Sequence, residues 1–204
     1  MRPTLELNPM VVEKLMKGDC AEYLCPHPFA HAVIDTFLTE RSAESLTRYA
    51  LSFDQSDMPQ DAYERKVLTV TDENVLRFFL SRSFRSMLAR LFSVSQLDFS
   101  GEYLPFLFYC PPFWSGIDPH TDNHPSRTHL SCLIYLTPDW DNSWEAGLNL
   151  CDSHNDKCRT VVRRYQPIFN RFVGFLTSAT SFHSVSRSAT SQQRLALSLL
   201  YNCV

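Results

Sequence analysis

Residues 117–124 read IDPHTDNH, residues 181–185 read SFHSV, and residues 194–201 read RLALSLLY. Successive side chains of a strand point to opposite faces, so His120 and Asp122 can point the same way. His183 begins a later apolar strand and can face them across a sheet. Two imidazoles and one carboxylate hold a divalent metal on one side and leave the other coordination positions open. The three segments therefore predict a β-rich fold with a metal site between strands.

The last of these segments alternates polar and apolar residues, which places Arg194 and Ser198 on one strand face. Arginine binds a carboxylate through two parallel hydrogen bonds, and a hydroxyl adds a further donor. We therefore expect both side chains to bind a single carboxylate. The HxD pattern alone is weak, because it is frequent by chance and a surface turn after Pro119 would also explain it. The downstream histidine and arginine favour the metal site.

Composition limits the classes of protein to consider. The chain has 204 residues, 44% of them hydrophobic and 20% charged, with a net charge of −3. This composition indicates a globular protein with no general attraction to nucleic acid or anionic membranes. No apolar run approaches the ~20 residues of a membrane span. Because the N-terminal segment lacks an apolar signal core, we expect a cytoplasmic protein with seven reduced cysteines. A Cys151–Cys158 pair across a hairpin is the less favoured alternative.

The order of sequence patterns indicates one domain over residues 1–204. Residues 1–100 supply an N-terminal strand and supporting helices, and residues 101–204 supply a core of short strands. We expect an irregular arm over 1–28, a helix over 40–51 capped by Thr39, and a long helix over 72–92 capped by Asp72. The predicted strands are 29–34, 66–70, 106–110, 129–136, 147–151, 159–162, 172–176, 183–185 and 194–201. Many short strands are typical of a sandwich or barrel.

These segments carry a family resemblance. The matching pieces are Tyr109, His120-Thr121-Asp122-Asn123, Ile134-Tyr135-Leu136, Gly147-Leu148, Phe169-Asn170-Arg171-Phe172, Phe182-His183, and Arg194 with Ser198. Together they resemble the catalytic domain of the prolyl-4-hydroxylase-like members of the 2-oxoglutarate/Fe(II)-dependent oxygenase superfamily. About half of the chain is covered by specific motifs. One departure is Ala146-Gly147, where the family usually has two glycines; it removes no ligand.

The resemblance implies a mainly β fold with supporting helices, namely a double-stranded β-helix or jelly roll. It implies Fe(II) bound by His120, Asp122 and His183, with 2-oxoglutarate and O2 as co-substrates. It also implies that Arg194 pairs with the distal carboxylate of 2-oxoglutarate. The resemblance assigns helping roles in this binding to Ser198 and to Tyr109 or Tyr135. For Tyr135 a place in the core is the alternative, because tyrosine is common in strands.

The implied activity is hydroxylation of an unactivated C–H bond, with decarboxylation of 2-oxoglutarate to succinate. The primary substrate is open: a protein residue, a free amino acid or a natural-product intermediate. One rival is a zinc-dependent hydrolase with the same three ligands, but a hydrolase has no need of a carboxylate clamp at Arg194. The other rival is a non-catalytic jelly-roll binding module. Structural zinc sites have four ligands and are often rich in cysteine, which does not fit this spacing.

Three further features have two interpretations each. His124 and His129 are either loop histidines facing solvent, which we favour, or neighbours of the substrate. Phe113 and Trp114, in the loop over 111–119, are either core residues or an exposed lid over the site. A basic cluster is either a solvated hairpin face, which we favour, or a docking surface for an acidic partner; it comprises Lys157, Arg159, Arg163, Arg164 and Arg171.

Overall fold

The computed structural model describes residues 3–99, 104–154 and 157–204. Within these residues the strands form two antiparallel sheets. The eight-stranded major sheet has the order β1-β2-β10-β7-β12-β5-β3, with β4 paired to β12. Its strands are β1 (Leu24–Cys25), β2 (His31–Ile34), β3 (Lys66–Thr69), β4 (Leu97–Asp98), β5 (Phe106–Cys110), β7 (His129–Tyr135), β10 (Phe172–Leu176) and β12 (Arg194–Cys203). The four-stranded minor sheet has the order β6-β11-β8-β9. It comprises β6 (Ile117–His120), β8 (Leu148–His154), β9 (Lys157–Tyr165) and β11 (His183–Val185).

The two sheets face each other as the double-stranded β-helix that the family resemblance implies. The minor-sheet leucines Leu148 and Leu150 pack with Val173 and Phe175 of the major sheet in one apolar cluster. A second, larger cluster lies on the outer face of the major sheet, against the helices. Adjacent residues of a major-sheet strand therefore point into different cores, because side chains alternate along a strand.

Among the described residues, four α-helices cover the outer face, namely α1 (Pro9–Met16), α2 (Glu40–Leu51), α3 (Glu73–Phe79) and α4 (Arg82–Leu91). The predicted cap of α2 is confirmed, because the Thr39 hydroxyl accepts from the Ser42 backbone N–H. The predicted irregular arm is wrong over Pro9–Met16, where Asn8 caps a helix and Val11 and Leu15 are buried. The sequence shows only two turns there, too few for a clear helical period.

The single long helix predicted over 72–92 is also wrong. Asp72 does cap its start, but Leu80 leaves helical geometry and Ser81 is extended. The Ser81 hydroxyl then accepts from the Phe84 N–H and starts a new helix. Serine competes for backbone hydrogen bonds in this way, so an apolar stripe can continue across a break.

The expectation of seven reduced cysteines is wrong for one pair, because Cys151 and Cys158 form a disulfide across the β8–β9 hairpin. Their Cα atoms lie 5.4 Å apart, a usual separation for a disulfide. The other cysteines are free thiols. In the described parts of the chain, no helix has both the length and the apolar character needed to span a membrane.

Candidate metal and co-substrate site

The predicted metal ligands come together at one end of the minor sheet. His120 ends β6 and His183 begins β11, and the two residues are cross-strand partners. Asp122 follows two residues after His120, so its carboxylate lies between the rings. Its Oδ1 is 3.6 Å from His120 Nε2, and its Oδ2 is 3.4 Å from His183 Nε2. One ligand atom from each residue lies within 4.8 Å of the other two, close enough to bind one ion.

Backbone hydrogen bonds fix which nitrogen of each ring faces the shared centre. His120 Nδ1 lies 2.8 Å from the Asp118 carbonyl oxygen, and His183 Nδ1 lies 3.0 Å from that of Ser181. A carbonyl oxygen only accepts, so both Nδ1 atoms carry a proton, and Nε2 is the nitrogen of each ring that can bind a metal when the ring is neutral. Metal-bound histidines usually donate their other ring N–H in this way. The donor set thus fits a divalent metal with three open positions.

The charges of the site suit metal binding. Burial lowers the pKa of His120, and the neighbouring His183 lowers it further, which favours the neutral ring that a metal requires. Burial alone would raise the pKa of the Asp122 carboxyl. The hydrogen bond and charge of His183 outweigh this effect and lower the pKa below its usual value. Asp122 is therefore an anionic ligand at neutral pH.

Arg194 is buried in the same cavity, with only 3% of its surface exposed. Its Nη1 contacts the Cys110 sulfur at 3.5 Å, while its Nε and Nη2 have no hydrogen-bond partner among the described residues. The guanidinium lies 4.9 Å from the centre of the Tyr135 ring and 5.7 Å from that of Trp114. A buried guanidinium without a carboxylate partner is costly, so this arrangement indicates an anionic ligand.

Of the two tyrosines that the resemblance suggested, the structure places only Tyr135 beside Arg194. The Tyr135 hydroxyl is buried and has no hydrogen-bond partner among the described residues. Burial raises the pKa of this hydroxyl although Arg194 opposes the shift, so it remains a donor at neutral pH. Tyr135 is therefore both a buried core residue and part of the site, because its ring also contacts the arginine.

Tyr109 lies elsewhere, and its assignment to the co-substrate is contradicted. Its hydroxyl donates to the Ala50 carbonyl oxygen at 2.8 Å, in the core beneath the helices. Arg194 is the cross-strand partner of Cys110, not of Tyr109. Cys110 therefore faces the site, and its neighbour in sequence must point the other way.

A cavity of about 430 Å³ joins the metal ligands to Arg194. Ser198 also lines it, so the predicted shared face of β12 is confirmed. The preference for solvent-facing histidines is wrong for His129, which lines the cavity and is only 4% exposed. His124 lies in the loop after β6, remains half-exposed and also reaches the cavity. Apolar side chains complete the wall around the ligands; they include Ile117, Leu148, Phe175 and Val185.

The two aromatic residues of the loop over 111–119 lie in different environments. Phe113 is 57% exposed, whereas Trp114 is 1% exposed and belongs to the inner core. The indole N–H of Trp114 donates to the Tyr63 carbonyl oxygen at 2.6 Å. Trp114 is therefore a fixed wall between Arg194 and the segment before β3, so for this residue the core interpretation is correct and the exposed-lid interpretation is wrong.

Three residues of the cavity region were missed in the sequence, namely Cys110, Tyr63 and Arg65. The position of Cys110 in the site depends on the register of β5 against β12, and a single sequence does not give that register. Tyr63 and Arg65 precede a short strand about 55 residues before His120. Nothing local to them indicates proximity to a metal.

The basic cluster lies mainly on β9, the edge strand of the minor sheet. Arg171 donates from Nη2 to Asp35 at 2.9 Å, and Arg164 donates to the Asn149 side chain at 2.9 Å. The remaining members are exposed and fit the favoured interpretation of a solvated hairpin face; they are Lys157, Arg159 and Arg163. Charged side chains on an edge strand also discourage pairing with other chains.

Comparison with known proteins agrees with this geometry. The sequence profile of the 2OG-Fe(II) oxygenase superfamily matches residues 107–202. The mouse (Mus musculus) protein named Prolyl 3-hydroxylase OGFOD1 is 26% identical over 219 residues, which cover 95% of this chain and 38% of that protein. This chain thus spans well under half the length of that relative.

Solved structures show the same fold. A Pseudomonas putida prolyl-4-hydroxylase superposes with a TM-score of 0.67 at 14% identity, covering 95% of this chain and 98% of that one. A Trichoplax adhaerens prolyl hydroxylase, solved with a peptide fragment of hypoxia inducible factor, gives a TM-score of 0.61 at 19% identity. Coverage there is 95% of this chain and 87% of the other. Fold, ligand geometry and profile match agree in their direction: this chain is similar to the 2OG-Fe(II) oxygenase superfamily, whose profile matches residues 107–202.

Proposed function

We propose that this chain is an Fe(II)- and 2-oxoglutarate-dependent dioxygenase that hydroxylates an unactivated C–H bond of a protein residue. The observation that carries the proposal is the pairing of two features in one cavity. A three-residue ligand set leaves metal positions open, and the buried Arg194 has two N–H groups without partners among the described residues. A 2-oxo acid with a second carboxylate satisfies both.

Each part of this chain has a separate task in the proposed reaction. His120, Asp122 and His183 hold the metal, and the backbone acceptors of the two rings keep Nε2 directed at it. Arg194 and the Tyr135 hydroxyl bind the distal carboxylate of 2-oxoglutarate. Bound Fe(II), with O2, supplies the oxidation that splits 2-oxoglutarate into succinate and CO2 and inserts one oxygen atom into a C–H bond.

The apolar wall excludes water from the reacting atoms. The Phe175 ring centre lies 4.6 Å from that of His183, which shields the ligand on the major-sheet side. Exclusion of water strengthens charge interactions inside a site and suppresses side reactions. The protein thus contributes ligation, positioning and a dry cavity, while the metal and co-substrate supply the oxidising chemistry.

A protein residue is proposed as the substrate because the relatives are named as prolyl hydroxylases, and one was solved with a peptide. The two rivals gain no support. A zinc hydrolase would not need the buried Arg194. A binding module with a structural zinc would need a closed site, whereas the ligand cluster of the described residues has three members and no cysteine. We also propose a cytoplasmic location, which the free thiols favour and the Cys151–Cys158 disulfide opposes.

The test is formation of succinate from 2-oxoglutarate with Fe(II) and O2. We expect His183→Ala to abolish it, because the metal loses one of three protein ligands. His27→Ala removes an exposed histidine that does not line the cavity and serves as the matched control. Succinate formation by folded His183→Ala at the wild-type rate would refute the metal assignment.

A further inference from the structure

The cavity continues beyond the metal ligands over an apolar floor. The floor is the part of the inner face of β5, β7 and β12 that lines the cavity. It comprises Phe106, Phe108, Leu133 and Leu200, with Ser131 and Ser198 between them. None of these six side chains is charged. An apolar group can rest on this floor beside the metal, whereas a charged group would lose its hydration there without a partner.

One side of this floor is closed by a turn that Asp61 organises. Asp61 Oδ1 accepts from the Tyr63 and Arg65 backbone N–H groups at 2.9 and 3.0 Å. Its Oδ2 accepts from Arg65 Nε at 2.7 Å and lies 2.6 Å from Nη2. Backbone and side chain are thus held by one carboxylate, and the turn is preorganised. We call residues 61–65 the Asp61 turn.

The Asp61 turn places a cation in the cavity. The Arg65 guanidinium lies 3.9 Å above the centre of the Phe108 ring and lines the cavity wall. Its side chain is only 16% exposed, and Nη1 has no hydrogen-bond partner among the described residues. Because Asp61 already balances its charge, Nη1 can donate to a neutral acceptor. A substrate carboxylate would meet the Asp61 charge nearby.

The Asp61 turn also touches the metal centre. The Tyr63 ring stacks beside His120 with 6.1 Å between ring centres and 28° between planes. Tyr63 is 40% exposed, and its carbonyl oxygen holds the Trp114 indole. A group bound between this turn and the apolar floor is therefore adjacent to a metal ligand, where the reacting C–H bond must lie.

We propose that Arg65 is a specificity-determining residue that binds a neutral carbonyl of the primary substrate while the apolar floor holds the neighbouring side chain. The substrate class is then an internal polypeptide residue with an uncharged, apolar side chain, presented beside its own backbone carbonyl. This inference rests on the proposed function, since it assigns the substrate of that same site. It explains why an ion pair is kept at the edge of an uncharged floor.

The experiment uses pools of blocked peptides, acetylated and amidated, in which each pool fixes one central residue. Hydroxylated peptide is measured by mass spectrometry, and succinate is measured in the same samples. Wild type should hydroxylate pools with apolar central residues. In Arg65→Ala the KM for such a peptide should rise about ten- to hundred-fold, the usual loss for a charged hydrogen bond. The KM for 2-oxoglutarate should change less than about twofold, because Arg194 serves that molecule.

Two further variants separate a binding role from a structural one. Arg48→Ala removes another arginine whose acidic partner lies four residues earlier, on the exposed face of α2, and should change neither KM. Asp61→Asn keeps the Oδ1 acceptor of the turn and removes the charge that balances Arg65. In that variant, peptides with a glutamate beside the central residue should gain at least about fivefold relative to neutral peptides, because Arg65 is then an unpaired cation.

Several results would overturn the inference while leaving the proposed Fe(II)- and 2-oxoglutarate-dependent turnover in place. These are hydroxylation of only charged central residues, succinate formation with no hydroxylated peptide in any pool, an unchanged peptide KM in Arg65→Ala, or an equal rise of both KM values. If wild type forms no succinate in any sample, the proposed function itself fails and the inference fails with it.

Discussion

Replacing Arg194 by methionine should weaken 2-oxoglutarate binding without weakening the ligand-free fold. Methionine has similar length and fills the space with apolar atoms. The arginine is 3% exposed, and its Nε and Nη2 have no partners among the described residues. This buried, unsatisfied charge therefore destabilises the ligand-free protein. Removing that charge should leave the free energy of unfolding equal or higher.

The loss of binding follows from the two unpaired donors. Each charge-assisted hydrogen bond contributes about 1.5–3 kcal/mol, so losing even one weakens binding about ten- to hundred-fold. A ligand at 100 times its Kd stabilises the fold by about 2.7 kcal/mol, and one at its Kd by only about 0.4 kcal/mol. For a domain of this size these values correspond to Tm increases of about 5–11 °C and about 1–2 °C.

The assay is thermal unfolding with and without 2-oxoglutarate, with Mn(II) in place of Fe(II) to prevent turnover. Ser198→Ala is the comparison on the same strand face and should lose less than about tenfold in affinity, since it removes a neutral hydroxyl. The reasoning is refuted if Arg194→Met retains the wild-type Tm increase. It is also refuted if the ligand-free variant loses more than about 2 kcal/mol, as a core truncation would.

Three further predictions concern other parts of the molecule. The buried His31 donates from Nδ1 to the Phe29 carbonyl oxygen at 2.8 Å, and burial lowers its pKa. The unfolded chain therefore binds more protons below the unfolded pKa of about 6.5, and stability should fall with decreasing pH there by at most about 1.4 kcal/mol per unit. Urea titrations at a series of pH values from 7.5 to 5 should show that the free energy of unfolding changes less with pH in His31→Gln than in wild type; an identical pH dependence would exclude His31 as a source of it. Gly116 has a φ of +85°, and a Cβ there would collide with the Val185 carbonyl oxygen next to the metal strands; Gly116→Ala should lower unfolding free energy by more than about 2 kcal/mol, and a neutral result by denaturant titration would contradict the close approach. Tyr135→Phe removes a hydroxyl without other partners in the described chain and should raise the 2-oxoglutarate KM about three- to tenfold, whereas Tyr109→Phe should leave that KM unchanged and lower only stability.

The local patterns in the sequence were sufficient for the ligands and for most secondary structure. His120 and Asp122 are two residues apart, and Arg194 and Ser198 are four apart, so the strand period alone places each pair on one face. The cap at Thr39 could also be predicted from the sequence, because its hydroxyl forms a hydrogen bond within the first turn of the helix. The break at Ser81 was not, since an apolar stripe continues on both sides of it.

The tertiary structure determines which residues of distant segments contact these motifs. Tyr109 and Cys110 are adjacent in sequence, and only the pairing of Cys110 with Arg194 shows which of them faces the co-substrate site. A shift of one residue in that register would exchange them. Arg65 reaches the cavity because the Asp61 turn folds over β5, a contact between segments about 45 residues apart. A single sequence records the periodicity within a strand, but the pairing between distant strands depends on the packing of the whole core.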